Sequence, residues 1–519
     1  MTLLDAFAAA GIQYFTAANE SSSVIMAAVD AKVSGIPSVV VLSLAPGISN
    51  GVNGLLHAYM EGAPVLVISG QHGAARQPFV VRQGFDLHKL VEPVTKWMGH
   101  LSATTDPVTA VCKALDVASA SRPGPVYLEI PDEVAKAEEP SRSGKIDPVT
   151  VLKEEWSDRG TSRVAGAAPS EGALAKLRER LATAQHPALV IGGRDANISQ
   201  ETLAAFSEKF HTPVFTSTNQ KGLATSGSPF YAGTFLNGSL ESSILSRSDL
   251  ILMVNPESFD TYNTPWRYDA FTVALSSAAS DEWLYPYSSR VVADPESTLR
   301  LLLANDAGAS KWTTGDVVAY REYVTSELRG EGDASLSVVS IVETALGSST
   351  PDTRLIADAG FSKPIVAMLS EPGVPSAFIA SNALSTMGFS IPAALAASRA
   401  SSRPVLAFLG DGSLLMRASE LALHDGLTGP LVVVAVMDQA LSQIEIKQER
   451  LGLTTVGVSL PYLSCEGLGD AFGFTGVDVD DEAGLGAALA TAWSSSSPTL
   501  IGAHISPESS RRVFELMRG

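Results

Sequence analysis

The sequence predicts an α/β protein of three domains, each a mainly parallel sheet flanked by helices. Three observations lead there. The chain has 519 residues, 45% of them hydrophobic and 18% charged, enough for several cores at a typical ~150 residues each. Its strand candidates read as unbroken apolar runs, the pattern of parallel strands covered on both faces. Those runs alternate with helical segments through short loops, and 43 glycines punctuate the alternation.

The blocks follow in order. The first, 1–135, carries "SVVVLSL" and "APVLVISG". Residues 136–169, rich in Ser, Glu, Lys and Pro without apolar periodicity, read as a linker. The second block, 170–312, holds "HPALVIGG", "TPVFTST" and "SDLILMVN", and 313–334 is expected to be a second connection. The third, 335–519, contains "TRLIADAG", "RPVLAFLGDG", "PLVVVAVMDQ" and "PTLIGAHIS".

Charge and composition exclude several roles. A net charge of −19 leaves no basic excess for nucleic acid or an anionic membrane. Cys112 and Cys465 stand far apart without metal-ligand spacing, the usage of reduced thiols in a cytoplasmic protein. The first fifteen residues lack a basic start and a long apolar core, and no stretch approaches the ~20 apolar residues of a membrane span. A cytoplasmic location is expected.

The chemistry concentrates in the third block. In parallel α/β sheets, ligands bind beyond the carboxyl ends of the strands, where helix N-termini face outward. Gly410-Asp411-Gly412 ends one predicted strand and Asp438-Gln439 ends the next. Glycines let the backbone approach an anion, Asp411 can hold a divalent cation, and Gln439 on the adjacent strand end can offer an amide oxygen to that cation. Such a set suits Mg²⁺ bound to a diphosphate. Taken alone, Gly-Asp-Gly also reads as a plain strand-to-helix turn.

The spacing resembles the thiamine-diphosphate enzymes of the acetolactate synthase, pyruvate decarboxylase and benzoylformate decarboxylase type, whose signature is Gly-Asp-Gly followed by Asn-Asn. Here 25 residues separate Gly412 from Asp438. "SNALSTMGFSIPAALAA" from Ser381 and "LAPGISNGVNGLLHAYMEGAPVLVISGQ" from Leu44 are similar to two further family segments in the same order, so the resemblance covers nearly the whole chain. It implies thiamine diphosphate and Mg²⁺ as cofactors. Asp411, the Gln439 side chain and the Leu441 carbonyl would hold the metal, Gly360, Gly412 and Ser413 would lie near the diphosphate, and Met387 would support the bent cofactor. Glu20 in "AANESSS" matches the glutamate that hydrogen-bonds the aminopyrimidine ring, expected at a strand end in an apolar pocket, and Gln83 in "VRQGFD" matches an active-site glutamine.

This chain departs from the family pattern at several points. Gln439 replaces the second asparagine, Arg82 stands where a phenylalanine usually precedes the glutamine, "VDAK" (Val29–Lys32) replaces Gly-Tyr-Ala-Arg, and Ser43 stands where some decarboxylases carry a histidine. Only 19 residues precede Glu20, which implies a truncated start or a first sheet without one edge element. His72, His88 and His100 lie nearby in sequence and read as structural. "NPESFDTYNTPW" is only loosely similar to the flavin-contacting segment of acetolactate synthases, so FAD is not expected. The implied function is decarboxylation of a small-molecule 2-oxo acid, the product carbon then being protonated to an aldehyde or ligated to a second carbonyl compound. The resemblance also implies a homodimer or homotetramer with cofactor sites between subunits. The alternative is a non-catalytic partner or scaffold that keeps the fold.

Overall fold

The computed structural model describes residues 2–518 apart from 74, 103, 121, 138–149, 154–166, 194–196, 258–260, 263, 279–284, 331–335 and 375. Its strands form three sheets. The first comprises β1 (Ser38–Leu42), β2 (Val65–Gln71), β3 (Trp97–His100), β4 (Val126–Pro131) and β5 (Thr150–Lys153) in the order β1-β2-β4-β3-β5, parallel except for antiparallel β5. The second comprises β6 (Pro187–Ile191), β7 (Val214–Thr216), β8 (Tyr231–Thr234), β9 (Leu250–Val254), β10 (Phe271–Ser276) and β11 (Ser289–Val292) in the order β11-β10-β9-β6-β7-β8, all parallel. The third comprises β12 (Arg354–Ala357), β13 (Phe378–Ala380), β14 (Val405–Gly410), β15 (Leu431–Met437), β16 (Thr475–Val479) and β17 (Thr499–His504) in the order β13-β12-β14-β15-β17-β16, also all parallel.

Unbroken apolar strands have the expected consequence. All seven side chains of β15 are buried. In the first sheet, Val65 and Val67 enter one core with Val40 and Leu55, while Leu66 and Ile68 enter another with Trp97 and Leu128. In the second, Ala188 and Val190 face away from Leu189 and Ile191 in the same fashion. Alternate residues of a strand point to opposite faces, so both faces need cover.

By packing, the chain forms two compact units. One gathers Met1–Ser157 with Ile391–Ser402 and Arg417–Thr428; the other gathers Asp158–Ser390, Arg403–Met416 and Gly429–Gly519, so it contains the second and third sheets. Within that second unit a single core joins Val190 and Phe215 to Leu355, Phe408 and Val434.

Two connections carry more order than the sequence reading gives them. In the expected linker 136–169, β5 pairs with β3, and residues 138–149 and 154–166 lie outside the described ones, as does residue 335, where the third block was placed. Thr150–Lys153 is an antiparallel edge strand whose partner is about 50 residues away, and no local periodicity announces such a pairing. In 313–334, the helix Thr314–Arg329 opens with a reciprocal capping box between Thr313 and Asp316. It buries Val317, Tyr320, Val324 and Leu328, a helical spacing that the linker reading passed over.

Candidate active site

The third sheet places its loops first. Chain order reverses between β12 and β14, whose neighbours β13 and β15 extend the sheet in opposite directions, and a crevice forms outside the carboxyl ends at such a switch point. Asp358 follows β12 and is fully buried there. Its Oδ1 accepts from the Gly388 N–H (3.1 Å) and the Ser413 hydroxyl (2.9 Å), and its Oδ2 from the Ser390 N–H (2.8 Å). One carboxylate therefore ties the end of β12 to the segment behind Met387 and to the helix Asp411–Arg417 after β14. Burial pushes Asp358 up to about 6 despite these bonds. The sequence reading missed Asp358, although an acid at a strand end is the signal it used for Asp411.

Asp411 joins the next pair of strands. Gly410 pairs with Val436 across β14 and β15, which brings the two tips side by side. Asp411 Oδ1 accepts from the Gly412 N–H and Oδ2 from the Gln439 N–H, each at 2.7 Å. Burial, and then the negative charge of Asp438, push its pKa up to about 6. Asp438 turns the other way, with Oδ2 accepting from the hydroxyls of Ser442 and Ser510.

Gln439 adopts φ +57°, a left-handed conformation that suits Asn better than Gln. Its carbonyl accepts from Leu460 N–H (2.8 Å), and Leu441 N–H donates to Val458 (2.7 Å), so this turn is pinned on both sides. The Leu441 carbonyl accepts from Ile444 (2.8 Å) and Glu445 (3.1 Å) at the start of the helix Ser442–Arg450. A Cβ on Gly412 would come within 2.9 Å of Leu441 Cδ2 and 3.1 Å of Met387 Cε, so these two side chains pack directly against the Gly412 backbone, where only glycine leaves them room. Met387 is half-buried. Gly360, at φ +152°, lines a cleft of about 240 Å³ together with Lys363, Asn382, Ser385, Tyr262 and Gln443.

The first unit carries the other residues. Glu20 is the first residue of the helix Glu20–Ser34, capped by the Asn19 side chain, so it sits at a helix start and half-buried rather than at a strand end in an apolar pocket. Asn50, which the sequence reading did not single out, donates to Glu20 Oε2 at 2.5 Å. Asn50 belongs to the helix Ala45–Glu61, whose glycines allow close packing: a Cβ on Gly54 would lie 2.5 Å from the Ser21 carbonyl, and one on Gly47 would lie 3.6 Å from Glu20 Oε1. Glu420 accepts from the backbone N–H groups of Ala18 and Asn19, and Arg417 donates to Ser21.

Gln83 lies in an exposed turn at φ +61°. His88 and His100 converge on Glu129, the buried centre of the first sheet, and His72 N–H donates to Gln71 Oε1. Burial alone would raise Glu129; the imidazoles of His100 and His88, with Gln71, hold it down to about 2.

Comparison with known proteins gives the family. Residues 1–92, 174–302 and 358–503 match, in order, the N-terminal TPP binding domain, the central domain and the C-terminal TPP binding domain of thiamine pyrophosphate enzymes. A protein described as a probable 2-ketoarginine decarboxylase from Pseudomonas aeruginosa is 28% identical over 86% of this chain and 79% of its own. The acetolactate synthase isozyme 2 large subunit of Escherichia coli is 26% identical over 100% of this chain and 92% of its own. Among solved structures, the benzoylformate decarboxylase of Polynucleobacter necessarius shares the fold at a TM-score of 0.76, with 18% identity over 95% of this chain and 92% of that one. No described helix is long and apolar enough to cross a membrane. With all three domains in order, and with Asp411, Gln439, Gly412 and Met387 gathered at the strand tips of the third sheet, the chain belongs to the thiamine pyrophosphate enzymes and is a thiamine-diphosphate-dependent 2-oxo acid decarboxylase or carboligase.

Proposed function

We propose that the third sheet holds the cofactor diphosphate through Mg²⁺ and that the first unit serves the pyrimidine end of a cofactor bound between two copies of the chain. The observation that carries the reading is the Asp411 carboxylate, which joins both strand tips through backbone N–H groups within the field of the neighbouring Asp438 charge. A carboxylate held above its ordinary range by burial and then by a second acid fits a divalent cation, whose charge offsets both acids. Asp411 and the Gln439 side chain would hold Mg²⁺. The Leu441 carbonyl would join them by releasing its longer contact to Glu445. Gly412 and Ser413, at the start of the helix after β14, with Gly360, would receive the diphosphate, and Met387 would support the rings.

When bound, thiamine diphosphate supplies the carbanion chemistry of decarboxylation. The chain's own part is orientation, proton handling and exclusion of water. Glu20, steadied by Asn50, would hold a proton at the pyrimidine ring, and Gln83 would face the substrate from its turn. Exposed apolar side chains lie on both units in loops that a second copy would cover: Phe79 (84%) and Val81 (93%) near Gln83, Leu451 (73%) and Val456 (63%) after the Leu441 turn. They support a homodimer, or a homotetramer built from two, with sites at the interface.

The relatives are catalysts, which disfavours the non-catalytic partner or scaffold. Aldehyde release and ligation share decarboxylation as their first step, so CO₂ release tests both. Protein freed of metal should bind thiamine diphosphate only when Mg²⁺ is added and should then release CO₂ from a member of a panel of 2-oxo acids that includes pyruvate, benzoylformate and a guanidino 2-oxo acid. Metal-independent or undetectable binding by calorimetry would overturn the clasp.

A further inference from the structure

We propose that His88, His100 and Glu129 form a site for a first-row transition-metal dication, distinct in its ligands from the oxygen-lined turn at Asp411. The three come from separate elements. His100 ends β3 and is registered opposite Glu129 in β4, and His88 lies on the short helix Leu87–Val91. Glu129 Oε2 is 3.0 Å from His88 Nε2 and 2.9 Å from His100 Nδ1, and the three donor atoms lie within 4.8 Å of one another. A cation with ligand bonds of about 2.1 Å sets adjacent ligands about 3.0 Å apart in octahedral and about 3.4 Å apart in tetrahedral geometry. Two edges of such a polyhedron are already in place.

Direction argues for a metal over a plain ion pair. His88 Nε2 is buried 3.0 Å from Glu129 Oε2, close enough for an ion pair but without the alignment of a well-formed hydrogen bond. A ring nitrogen aimed beside an oxygen rather than at it is placed as a fellow ligand. Gln71 Nε2 donates to Glu129 Oε1 at 2.6 Å, the outer contact that orients a ligating carboxylate and leaves Oε2 for the ion. The imidazoles remain 26% and 30% exposed while Glu129 is 1%, so ion and waters can reach the open positions. Two imidazoles and one carboxylate suit zinc, cobalt or iron(II) rather than Mg²⁺ or Ca²⁺. The ion would fasten the Leu87–Val91 helix to the sheet and steady the preceding turn that carries Gln83.

The test uses full-length, tag-free protein stripped with chelator, held in saturating Mg²⁺ and thiamine diphosphate, and titrated with Co²⁺. One cobalt per chain should bind with a visible d–d absorption band and a rise in melting temperature. Gln71→Ala should weaken binding about 10-fold. His88→Asn/His100→Asn should lose the band while still binding thiamine diphosphate, and Asp411→Asn should keep it. X-ray absorption at the cobalt edge of the parent should show two imidazoles per metal, a readout independent of how the variants fold. No stoichiometric cobalt, no imidazole at the metal, or an unchanged band in the folded double variant would each overturn the site.

Discussion

Glu420 and Asn19, 401 residues apart in the chain, are joined by a 3.0 Å hydrogen bond from the Asn19 N–H to Oε1, while Oε2 accepts from the Ala18 N–H at 3.0 Å. Glu420 is wholly buried, and the peptide it holds leads directly into Glu20. One carboxylate thus sets the entry of the helix that presents Glu20. Removing it leaves two backbone donors unpaired, at a cost of about 2–4 kcal/mol for bonds to a charged acceptor. Glu420→Ala should lower the unfolding free energy in chemical denaturation by that amount and reduce kcat with little change in KM, while Glu420→Gln, which keeps one acceptor oxygen, should lose about half as much. Wild-type kcat in a folded Glu420→Ala protein would remove Glu420 from the positioning of Glu20.

Gln439 makes a second prediction. Its φ of +57° is costly for most side chains by about 1 kcal/mol, and Asn is the residue that relieves the cost without leaving the turn. Gln439→Asn should raise stability by about 0.5–1 kcal/mol in chemical denaturation and keep or improve Mg²⁺-dependent cofactor binding. Gln439→Gly should also stabilise the turn locally yet bind Mg²⁺ less well, because it removes the amide oxygen. Equal cofactor affinity in the Asn and Gly variants would exclude the side chain from the metal site.

Asp358 makes stability depend on pH. Its folded pKa of about 6 lies above the ordinary value of 3.8, so between those values the native state holds more protons than the unfolded one, and stability falls as pH rises. The contribution is absent below 3.8, and above about 6 the full cost, about 3 kcal/mol, is in force. Asp358→Asn cannot titrate. In cofactor-free protein, the stability difference between Asp358→Asn and the parent should therefore move in the variant's favour from pH 4 to pH 7.5. A difference that stays constant over that range would show that Asp358 does not ionise there.

A site shared between two copies of the chain, as proposed above, predicts complementation. Glu20→Gln should bind cofactor and fail in proton handling, whereas Asp411→Ala should fail to bind it. Mixed after reversible subunit dissociation, the two should form dimers with one intact site and regain a fraction of parental activity. Proven subunit exchange without recovered CO₂ release would place each site within a single chain.

Much of this protein is legible in order along the chain, because its evidence is local. A buried parallel strand such as "PLVVVAVM" announces itself by an unbroken apolar run, and Gly-Asp-Gly marks a strand-to-helix passage within three residues. The three sheets, and the meeting of Asp411 with Gln439, follow from such signals once two strands are read as neighbours. The helix Thr314–Arg329 also carries its signal, in the spacing of Val317, Tyr320, Val324 and Leu328, but polar residues at its start mask it. Other relationships were settled only by the tertiary structure. The order β13-β12-β14 brings Asp358 to Ser413, the order β2-β4-β3 brings Gln71, Glu129 and His100 together, and the seating of Arg417–Thr428 in the first unit brings Glu420 to Asn19. Periodicity states that a strand exists and which faces it buries. It does not state which strand lies beside it, because that choice rests on packing summed over contacts hundreds of residues apart.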